Sequence, residues 1–410
     1  MLHDRTTLFD PVRLGALSLS NRIVMPPLTR SRALPDGRPG PSAKLYYAQR
    51  ASAGLIVSEG TAISPEAVGN PDIPGLWNDE QVRAWKPVTD AVHEAGAVIV
   101  TQLWHTGRAS HPSLQPGGKD PVGPSPLAIT GLTFARDGRT PHVRPRALET
   151  EEIPAIVAWY GQAARNARAA GFDGVELHAA NGYLIDQFLQ DGSNHRTDRY
   201  GGSIENRARL LLEALDALID AVGADRVGVR LSPSSTFQDM ADSDPIALFA
   251  YVLEALAERD PAYLHLVEPG VFGDDSAQRP ADGIDSAWVR KRYPGRVIAT
   301  GGYDRERALA AVGGGTADAV AFGRAFIANP DLPERLERGA ALNEADRATF
   351  YGGDDHGYLD YPSLEAERLL ADLREGRAQP VPGLELDSET PPEQWHQAWA
   401  QQHASAPARP

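Results

Sequence analysis

Short apolar runs alternate with longer segments of helical periodicity along most of the chain. Helices cover both faces of a parallel sheet, so its strands carry nearly continuous apolar runs instead of an apolar–polar alternation. Eight runs fit this description: Asn21–Leu28, Gly54–Thr61, Ala97–Trp104, Phe172–His178, Arg226–Ser232, Ala262–Glu268, Arg296–Gly301 and Ala317–Phe322. Eight such strands separated by helical segments predict an α/β fold, a (β/α)8 or TIM barrel.

Two of the intervening segments show the helical pattern most clearly. Residues Ile153–Ala170 carry apolar side chains at close to helical spacing. Residues Ser203–Val222 begin with a candidate N-cap serine, followed by Glu205 in the first turn, where a carboxylate is favourable. The aliphatic residues of this second segment recur at steps of four, three and four and so share one face: Leu211, Leu215, Leu218 and Val222. Both segments are therefore predicted to be helices.

Two segments do not fit the repeat, although we expect residues 1–375 to form one barrel domain. Residues 106–150 are rich in Pro, Gly and Ser and are too long for a simple loop between a strand and its helix. We expect an excursion over the carboxyl-terminal rim, where barrel enzymes hold their active sites. Residues 376–410 contain many prolines and little apolar periodicity, which predicts an extended or disordered tail.

Composition and charge narrow the classes of partner. The chain has 410 residues, no cysteine and a net charge of −15 at pH 7. The lack of cysteine excludes disulfides, iron–sulfur ligation and thiol nucleophiles, and the negative charge disfavours a nucleic-acid partner. No apolar run reaches the roughly 18 residues of a membrane span, and the N-terminus lacks the apolar stretch of a secretory signal. We expect a cytoplasmic monomer or small homo-oligomer that acts on a small molecule, with no membrane partner.

Polar side chains stand at the carboxyl ends of several predicted strands. Gln102, His178 and Arg230 lie at or near the ends of the third, fourth and fifth strands. The carboxyl ends of barrel strands meet at one rim, so these groups are expected to converge there. A barrel with a purely structural role has no need of such side chains at these positions. The pattern indicates an active site.

The loops after the seventh and eighth strands predict a phosphate site. Gly301 and Gly302 follow the seventh strand, and Gly323 and Arg324 follow the eighth. Barrels often bind phosphate with these two loops and a helix N-terminus. A glycine pair alone indicates only a turn, but glycines let backbone N–H groups approach an anion and Arg324 adds a charged fork.

Several separated motifs occur together in one order along the chain. They are Met25–Arg30, Gln102–Arg108, Glu176–Leu189, Asn194–Arg209, Ala321–Asp331 and Phe350–Pro362. With these motifs the sequence resembles the old yellow enzyme family of FMN-dependent ene-reductases, from about Leu8 to Leu364. The resemblance implies FMN as the cofactor and NADPH or NADH as the electron donor. It implies no metal.

The resemblance assigns cofactor roles to residues near the strand ends. It places Thr29 at the flavin C4=O, Gln102 at the N3–H and C2=O edge, and Arg230 near the pyrimidine end, where reduction accumulates negative charge. Pro27 and Gly60 join them as residues that contact the flavin. The phosphate loops complete the implied set: Gly301, Gly302, Gly323 and Arg324.

The resemblance also implies a catalytic trio. His178 and Asn181 direct two N–H donors at one substrate oxygen and stabilise the enolate-like charge that forms during hydride transfer to the β-carbon. Tyr183 protonates the α-carbon from the opposite face as general acid. The implied substrates are α,β-unsaturated carbonyl or nitro compounds.

Four further residues are candidates for substrate contact. The resemblance places Trp104 and Tyr351 in the substrate pocket, and Phe237 is a weaker candidate because ordinary packing also explains it. Asn70 takes the place at which many relatives carry a tyrosine, which leaves substrate preference open.

Two other functions remain open at this point. A flavin-free barrel lyase or aldolase on a phosphorylated substrate would use the same phosphate loops, and a catalytically inactive barrel could serve as a scaffold. The lyase usually needs a lysine or a metal cluster at the strand ends, and the scaffold would tolerate a damaged rim. No strand is followed by a Gly-x-Gly-x-x-Gly motif, so a separate dinucleotide-binding domain is not expected.

Overall fold

Eight parallel strands close into a barrel in the computed structural model, which describes residues 6–269, 283–375 and 377. In chain order the strands are β1 (Ile23–Met25), β2 (Leu55–Ala62), β3 (Ile99–Trp104), β4 (Gly174–Ala179), β5 (Val227–Leu231), β6 (Tyr263–Val267), β7 (Val297–Thr300) and β8 (Ala319–Ala321). Each strand pairs with its neighbour in the chain, and β8 pairs with β1 to close the ring. The predicted (β/α)8 fold is confirmed.

Helices follow every strand. They are α1 (Ala43–Ala48), α2 (Asp79–Glu94), α3 (Ile153–Ala169), α4 (Leu184–Leu189), α5 (Ile204–Val222), α6 (Pro245–Arg259), α7 (Ser286–Arg290), α8 (Arg305–Gly313), α9 (Gly323–Ala328), α10 (Leu332–Arg338) and α11 (Leu364–Arg374). Ser203 caps α5 by accepting a hydrogen bond from the Asn206 N–H, as its sequence position predicts. The two helices predicted in detail correspond to α3 and α5.

The first strand is shorter than predicted. The apolar run extends over Asn21–Leu28, but the ladder ends at Met25. Pro26 and Pro27 lack the N–H that a ladder residue donates, which accounts for the early end. The segment 26–30 is therefore free of the sheet and lies at the rim.

A short N-terminal hairpin fills the amino-terminal end of the barrel. Its strands, Val12–Leu14 and Leu17–Leu19, pair antiparallel. Their apolar side chains form one buried cluster with interior strand residues that include Val24, Val57 and Val100. Because side chains alternate between the two faces of a strand, Gln102 points to the same interior face as Val100. Apolar side chains thus fill the amino-terminal end of the barrel, and polar side chains such as Gln102 lie toward its carboxyl-terminal end.

Residues 106–150 form a substructure between β3 and α3. It contains a hairpin, Leu132–Ala135 with Gly138–Pro141, and a short parallel pair of Val122–Gly123 with Arg146–Ala147. The Arg108 Nη2 donates to the Gln238 carbonyl at 2.9 Å, so the segment contacts the loop after β5. No helix among the described residues is long and apolar enough to cross a membrane. The predicted tail, 376–410, lies outside the described residues except for Arg377.

Candidate active site

Strands β4, β5 and β6 carry polar side chains in register at the carboxyl end of the barrel. His178 is paired with Arg230, and Arg230 with His265, so the three residues stand side by side. On β3, Gln102 is paired with Glu176 of β4, one interior layer below His178. All five residues are buried. The strand register brings Gln102, His178 and Arg230 together at one end of the barrel, as predicted.

An aromatic cluster surrounds His178. The ring centroid of Tyr183 lies 5.0 Å from that of His178 and 4.7 Å from that of Trp104, both in edge-on geometry. The Trp104 and His178 centroids are 6.0 Å apart. Tyr183 stands at the N-cap position of α4, so it points back over the strand ends. Three residues predicted from the sequence thus form one contiguous group.

Asn181 occupies the tight turn between β4 and α4. Its φ is +57°, in the left-handed region that asparagine tolerates better than most residues. The Asn181 backbone N–H donates to the Ser232 hydroxyl at 2.7 Å, which ties this turn to the end of β5. Gly182 follows with a φ of +73°, and a Cβ there would lie 2.8 Å from the Gln238 Cβ. The turn that presents Asn181 and Tyr183 is therefore tightly constrained.

Burial sets the protonation states of the cluster. Burial, aided by the positive charge of Arg230, lowers the pKa of His178 well below its ordinary value, so the imidazole is neutral at physiological pH. Burial, together with the neighbouring Tyr351, raises the pKa of Tyr183, which keeps the phenol protonated. A neutral imidazole offers one N–H donor and a protonated phenol offers one transferable proton. Both states suit the roles that the resemblance implied.

Several buried nitrogens of this cluster have no hydrogen-bond partner among the described residues. They are the Trp104 Nε1, the His178 Nδ1 and the Arg230 Nε. Buried polar atoms in proteins are almost always hydrogen-bonded, so a group of such atoms at one end of a barrel is typical of a site for a polar ligand. The Gln102 and Arg230 donors match the acceptors on the pyrimidine edge of a flavin, so the residues present fit FMN.

The two glycine loops lie side by side because β7 and β8 pair with Thr300 opposite Ala321. Gly302 has a φ of +59°, a conformation that favours glycine, and a Cβ there would meet nothing within 4 Å. A Cβ on Gly301 would lie 2.7 Å from the Glu268 Oε2 and 2.9 Å from the Glu268 Cβ, so a larger residue at that position would displace Glu268. Gly323 begins α9, and Arg324 beside it is exposed. This open, glycine-lined geometry is compatible with an anion.

Pro27 and Thr29 are half-buried in the segment that leaves β1. A Cβ on Gly323 would come within 3.8 Å of Pro26, so this segment runs beside the start of α9. Gly60 lies in β2, where a Cβ would be 2.4 Å from the Trp104 Cε3. The structure thus shows that Gly60 makes room for the Trp104 indole, a packing role that the sequence did not indicate.

The candidate substrate residues occupy different places. Tyr351 is about half exposed, at 53%, and its ring lies 5.8 Å from that of Phe134 in the hairpin. Phe237 lies on the turn after β5, whose backbone packs on Gly182. Asn70 lines a cavity of about 430 Å³ between the loops after β1 and β2 and residues 113–116. None of the residues of the His178 cluster lines that cavity, so Asn70 stands apart from it.

Sequence reasoning missed several residues of this region. The sequence places Glu176 within a motif but gives it no role, and no pattern distinguishes its partners Tyr263 and His265. Phe134 was also missed, although Asp137-Gly138 between alternating residues is a hairpin signal. No group of metal-ligating side chains is present among the described residues.

Comparison with known proteins identifies the family. The sequence model of the NADH:flavin oxidoreductase / NADH oxidase family matches residues 7–343. The chain is 48% identical over 362 residues to 12-oxophytodienoate reductase 1 of Oryza sativa subsp. japonica, covering 87% of this chain and 93% of the relative.

Two solved structures are also similar. Morphinone reductase in complex with tetrahydroNAD is 52% identical, covers 88% of this chain and 98% of its own, and superimposes with a TM-score of 0.82. The old yellow enzyme homologue from Zymomonas mobilis is 45% identical, covers 88% of this chain and 100% of its own, and gives a TM-score of 0.84. With the family match over most of the chain, these likenesses show that the protein belongs to the old yellow enzyme family of FMN-dependent oxidoreductases.

Proposed function

We propose that this flavin oxidoreductase reduces the activated C=C bond of α,β-unsaturated carbonyl or nitro compounds with electrons from NAD(P)H. The observation that carries the proposal is the cluster of Trp104, His178 and Tyr183, which combines a neutral donor imidazole with a protonated phenol beside a buried arginine. When bound, FMN supplies the hydride chemistry that links the nicotinamide to the substrate.

Residues from several parts of the rim would hold the flavin. Gln102 and Arg230 would bind its pyrimidine end, Thr29 and Pro27 would contact it from the segment after β1, and the glycine loops after β7 and β8 would bind its phosphate. These assignments rest on the buried Nε of Arg230 and on the open geometry of Gly302. No separate dinucleotide domain is present among the described residues, so NAD(P)H and substrate use the same pocket in turn.

The substrate oxygen is bound by His178 and Asn181. A hydrogen-bond donor that is already in place when negative charge develops on that oxygen stabilises the charge without further rearrangement of the site. Removing one such donor typically slows a reaction by about 10²–10³-fold. His178 is suited to this because its Nδ1 has no partner among the described residues. Tyr183, protonated and in edge contact with both neighbouring rings, delivers the proton to the α-carbon.

The rim favours substrates with a hydrophobic body. Tyr351, Phe134 and Phe237 are all partly exposed around the opening, at 53%, 37% and 38%. The similar proteins bear names that refer to bulky cyclic substrates, 12-oxophytodienoate and morphinone. We therefore expect cyclic enones to be better substrates than short-chain ones. The tetrahydroNAD complex of morphinone reductase supports a nicotinamide donor, and the choice between NADH and NADPH is left to experiment.

The alternative lyase function finds no support in the positions of the lysines. Lys44 lies in α1, Lys86 in α2, Lys119 in the segment 106–150, and Lys291 just after α7. None stands in a barrel strand, where a Schiff-base lysine of a barrel aldolase would be needed.

The direct test is to prepare the apo-protein, titrate it with FMN, and reduce the complex anaerobically with NADH and, separately, with NADPH. We expect stoichiometric binding of one FMN per chain, bleaching of the flavin band by at least one nicotinamide, and reoxidation by 2-cyclohexenone. Folded apo-protein that fails to bind FMN, or a reduced flavin that cyclohexenone does not reoxidise, would contradict the proposal.

A further inference from the structure

A buried hydrogen-bond network crosses the barrel and is centred on Glu176, one layer below His178. The Glu176 carboxylate is its centre and is 0% exposed. The Glu176 Oε1 accepts from the Gln102 Nε2 at 2.8 Å. The Glu176 Oε2 accepts from the Tyr263 hydroxyl at 3.1 Å and from the His265 Nδ1 at 2.8 Å. The His265 Nε2 in turn lies 2.6 Å from the Thr300 Oγ1. The network thus connects side chains from four strands, β3, β4, β6 and β7.

The network is possible because β5 has no side chain at this level. Glu176 of β4 is paired with Gly228 of β5, and Gly228 with Tyr263 of β6. A Cβ on Gly228 would lie 2.2 Å from the Tyr263 Cζ and 2.6 Å from its hydroxyl oxygen. The phenol ring therefore lies across β5 and reaches a carboxylate two strands away. Any residue larger than glycine at position 228 would displace it.

The direction of each hydrogen bond follows from the charges. Burial alone would raise the pKa of Glu176, but the hydrogen bond from His265, the positive charge of Arg230 and the Gln102 amide outweigh burial and lower it, so the carboxylate is ionised. An ionised carboxylate only accepts, so the His265 Nδ1 carries a proton. Burial, together with Arg230, lowers the pKa of His265 despite the neighbouring carboxylate. The ring is therefore neutral, and its Nε2 accepts the Thr300 hydroxyl proton.

The two ends of this network reach both parts of the cofactor site. At one end, the Gln102 amide nitrogen is held by Glu176, which fixes the amide orientation and leaves the Oε1 and one N–H for a ligand. At the other end, Thr300 directly precedes the glycine pair of the phosphate loop. In addition, Arg230 lies on the neighbouring strand β5, opposite His178 and therefore two positions beyond the level of Glu176 on the same interior face. The Glu176 charge raises the pKa of Arg230 and so offsets part of the effect of burial.

We propose that Glu176 is a positioning residue of the flavin site, which orients the Gln102 amide toward the pyrimidine edge and serves as the buried counter-ion of Arg230. The proposal rests on the assignment of Gln102 and Arg230 to FMN. Two consequences follow. A negative charge near the pyrimidine disfavours the electron-rich reduced flavin, and loss of the amide orientation weakens FMN binding.

The test compares three variants of the FMN-loaded protein and their apo forms. Glu176→Gln removes the charge, Glu176→Asp keeps the charge but withdraws it from Gln102, and Asp318→Asn is the control. Asp318 is a partly buried carboxylate paired with Arg290 and Arg296 at the amino-terminal end of β8, away from the site. The readouts are the flavin midpoint potential and the FMN dissociation constant of the apo-protein, neither of which requires turnover.

Glu176→Gln should raise the equilibrium constant for two-electron reduction of the flavin at least tenfold, which corresponds to a rise of about 30 mV in the midpoint potential. Glu176→Asp should leave that constant within threefold of wild type while weakening FMN binding about tenfold. Asp318→Asn should leave both unchanged. A Glu176→Gln protein whose potential and FMN affinity equal those of wild type overturns the proposal. Wild-type apo-protein that does not bind FMN overturns instead the assignment of the site, so the two failures are distinguishable.

A measurement on the wild-type protein covers the case in which Glu176→Gln does not fold. Imidazole nitrogen NMR of FMN-loaded protein should show His265 as the neutral tautomer with its proton on Nδ1, unchanged between pH 6 and pH 8. The opposite tautomer, with the proton on Nε2 alone, would mean that His265 does not donate to Glu176, and the proposed network would be wrong.

Discussion

The pH dependence of stability should be governed in part by Glu59, a buried carboxylate on β2. Burial raises the pKa of Glu59 from its ordinary value of 4.5 to about 7, although the Arg30 backbone N–H donates to its Oε2 at 3.1 Å. The Arg30 guanidinium donates instead to Tyr46 and to the carbonyls of the segment after α10, such as that of Gly357 at 2.8 Å. The carboxylate is thus bound by neutral donors, the Arg30 N–H and, at 3.5 Å, the Tyr47 hydroxyl, and not by the charged end of Arg30.

The sign of the effect follows from which state binds more protons. Between pH 4.5 and pH 7 the unfolded chain has lost the Glu59 proton and the folded chain retains it, so stability falls as pH rises. Below that range both states are protonated and the penalty vanishes, and above it the penalty is complete. A rise in pKa from 4.5 to about 7, at about 1.4 kcal/mol per pKa unit, amounts to roughly 3 kcal/mol.

Glu59→Gln removes this titration while keeping the shape of the side chain. Its amide oxygen can accept from the Arg30 N–H and its amide N–H can donate to the Tyr47 hydroxyl, 3.5 Å from the present carboxylate. We expect the stability of Glu59→Gln relative to wild type to increase by about 2–3 kcal/mol between pH 5 and pH 8.5. Urea denaturation of both apo-proteins, followed by circular dichroism, measures the difference.

Comparing the two proteins at each pH cancels the titration of all other groups. Glu66→Gln is the matched control, because Glu66 is only half-buried, in the short turn Pro65–Ala67 that follows β2. The free-energy difference between that variant and wild type should change less with pH than the difference for Glu59→Gln. If the difference between Glu59→Gln and wild type is constant from pH 5 to pH 8.5, the argument from burial is wrong.

Three further predictions concern the site. In stopped-flow traces, Tyr183→Phe should leave the rate of flavin reduction by NAD(P)H within threefold of wild type but slow reoxidation by cyclohexenone about 10²–10⁴-fold. The control variant Tyr293→Phe should change neither rate. Equal slowing of both half-reactions by Tyr183→Phe would contradict the proton-donor role. Gly60→Ala should destabilise the protein by about 1–3 kcal/mol in urea titrations, because the new Cβ overlaps the Trp104 indole; an unchanged midpoint would show that the indole relaxes freely. Phe134→Ala should raise KM severalfold for bulky cyclic enones but not for a small nitroalkene; equal effects on both would show that the hairpin does not contact substrate.

The barrel could be predicted from sequence because its signal is local and repeated. Each strand is buried on both faces, so it appears as an apolar run, and eight runs with helical segments between them allow few other folds. The convergence of Gln102, His178 and Arg230 was also predictable, since strand ends meet at one rim in any such barrel. The roles of these residues required more than geometry, and they came from the resemblance to a family.

The remaining features depend on contacts between distant positions. Nothing around Gly60 indicates that the Trp104 indole occupies the space above it, because the two residues meet only through the pairing of β2 and β3. The place of Asn70 depends on how residues 113–116 fold back to enclose a cavity. Such contacts are set by register and loop path, which no local pattern encodes.

The buried charges of the barrel are better explained by ligand chemistry than by folding. Burying an arginine and a carboxylate carries a desolvation cost that their attraction seldom exceeds, and apolar residues of similar volume often stabilise a core equally well. Here Arg230 and Glu176 are both buried, yet the Arg230 Nε still lacks a partner among the described residues. A set built only for stability would be satisfied internally. Because Glu176 is fully hydrogen-bonded while Arg230 is not, the arrangement holds the carboxylate firmly in place and leaves a donor of Arg230 for a ligand, as the proposed flavin site requires.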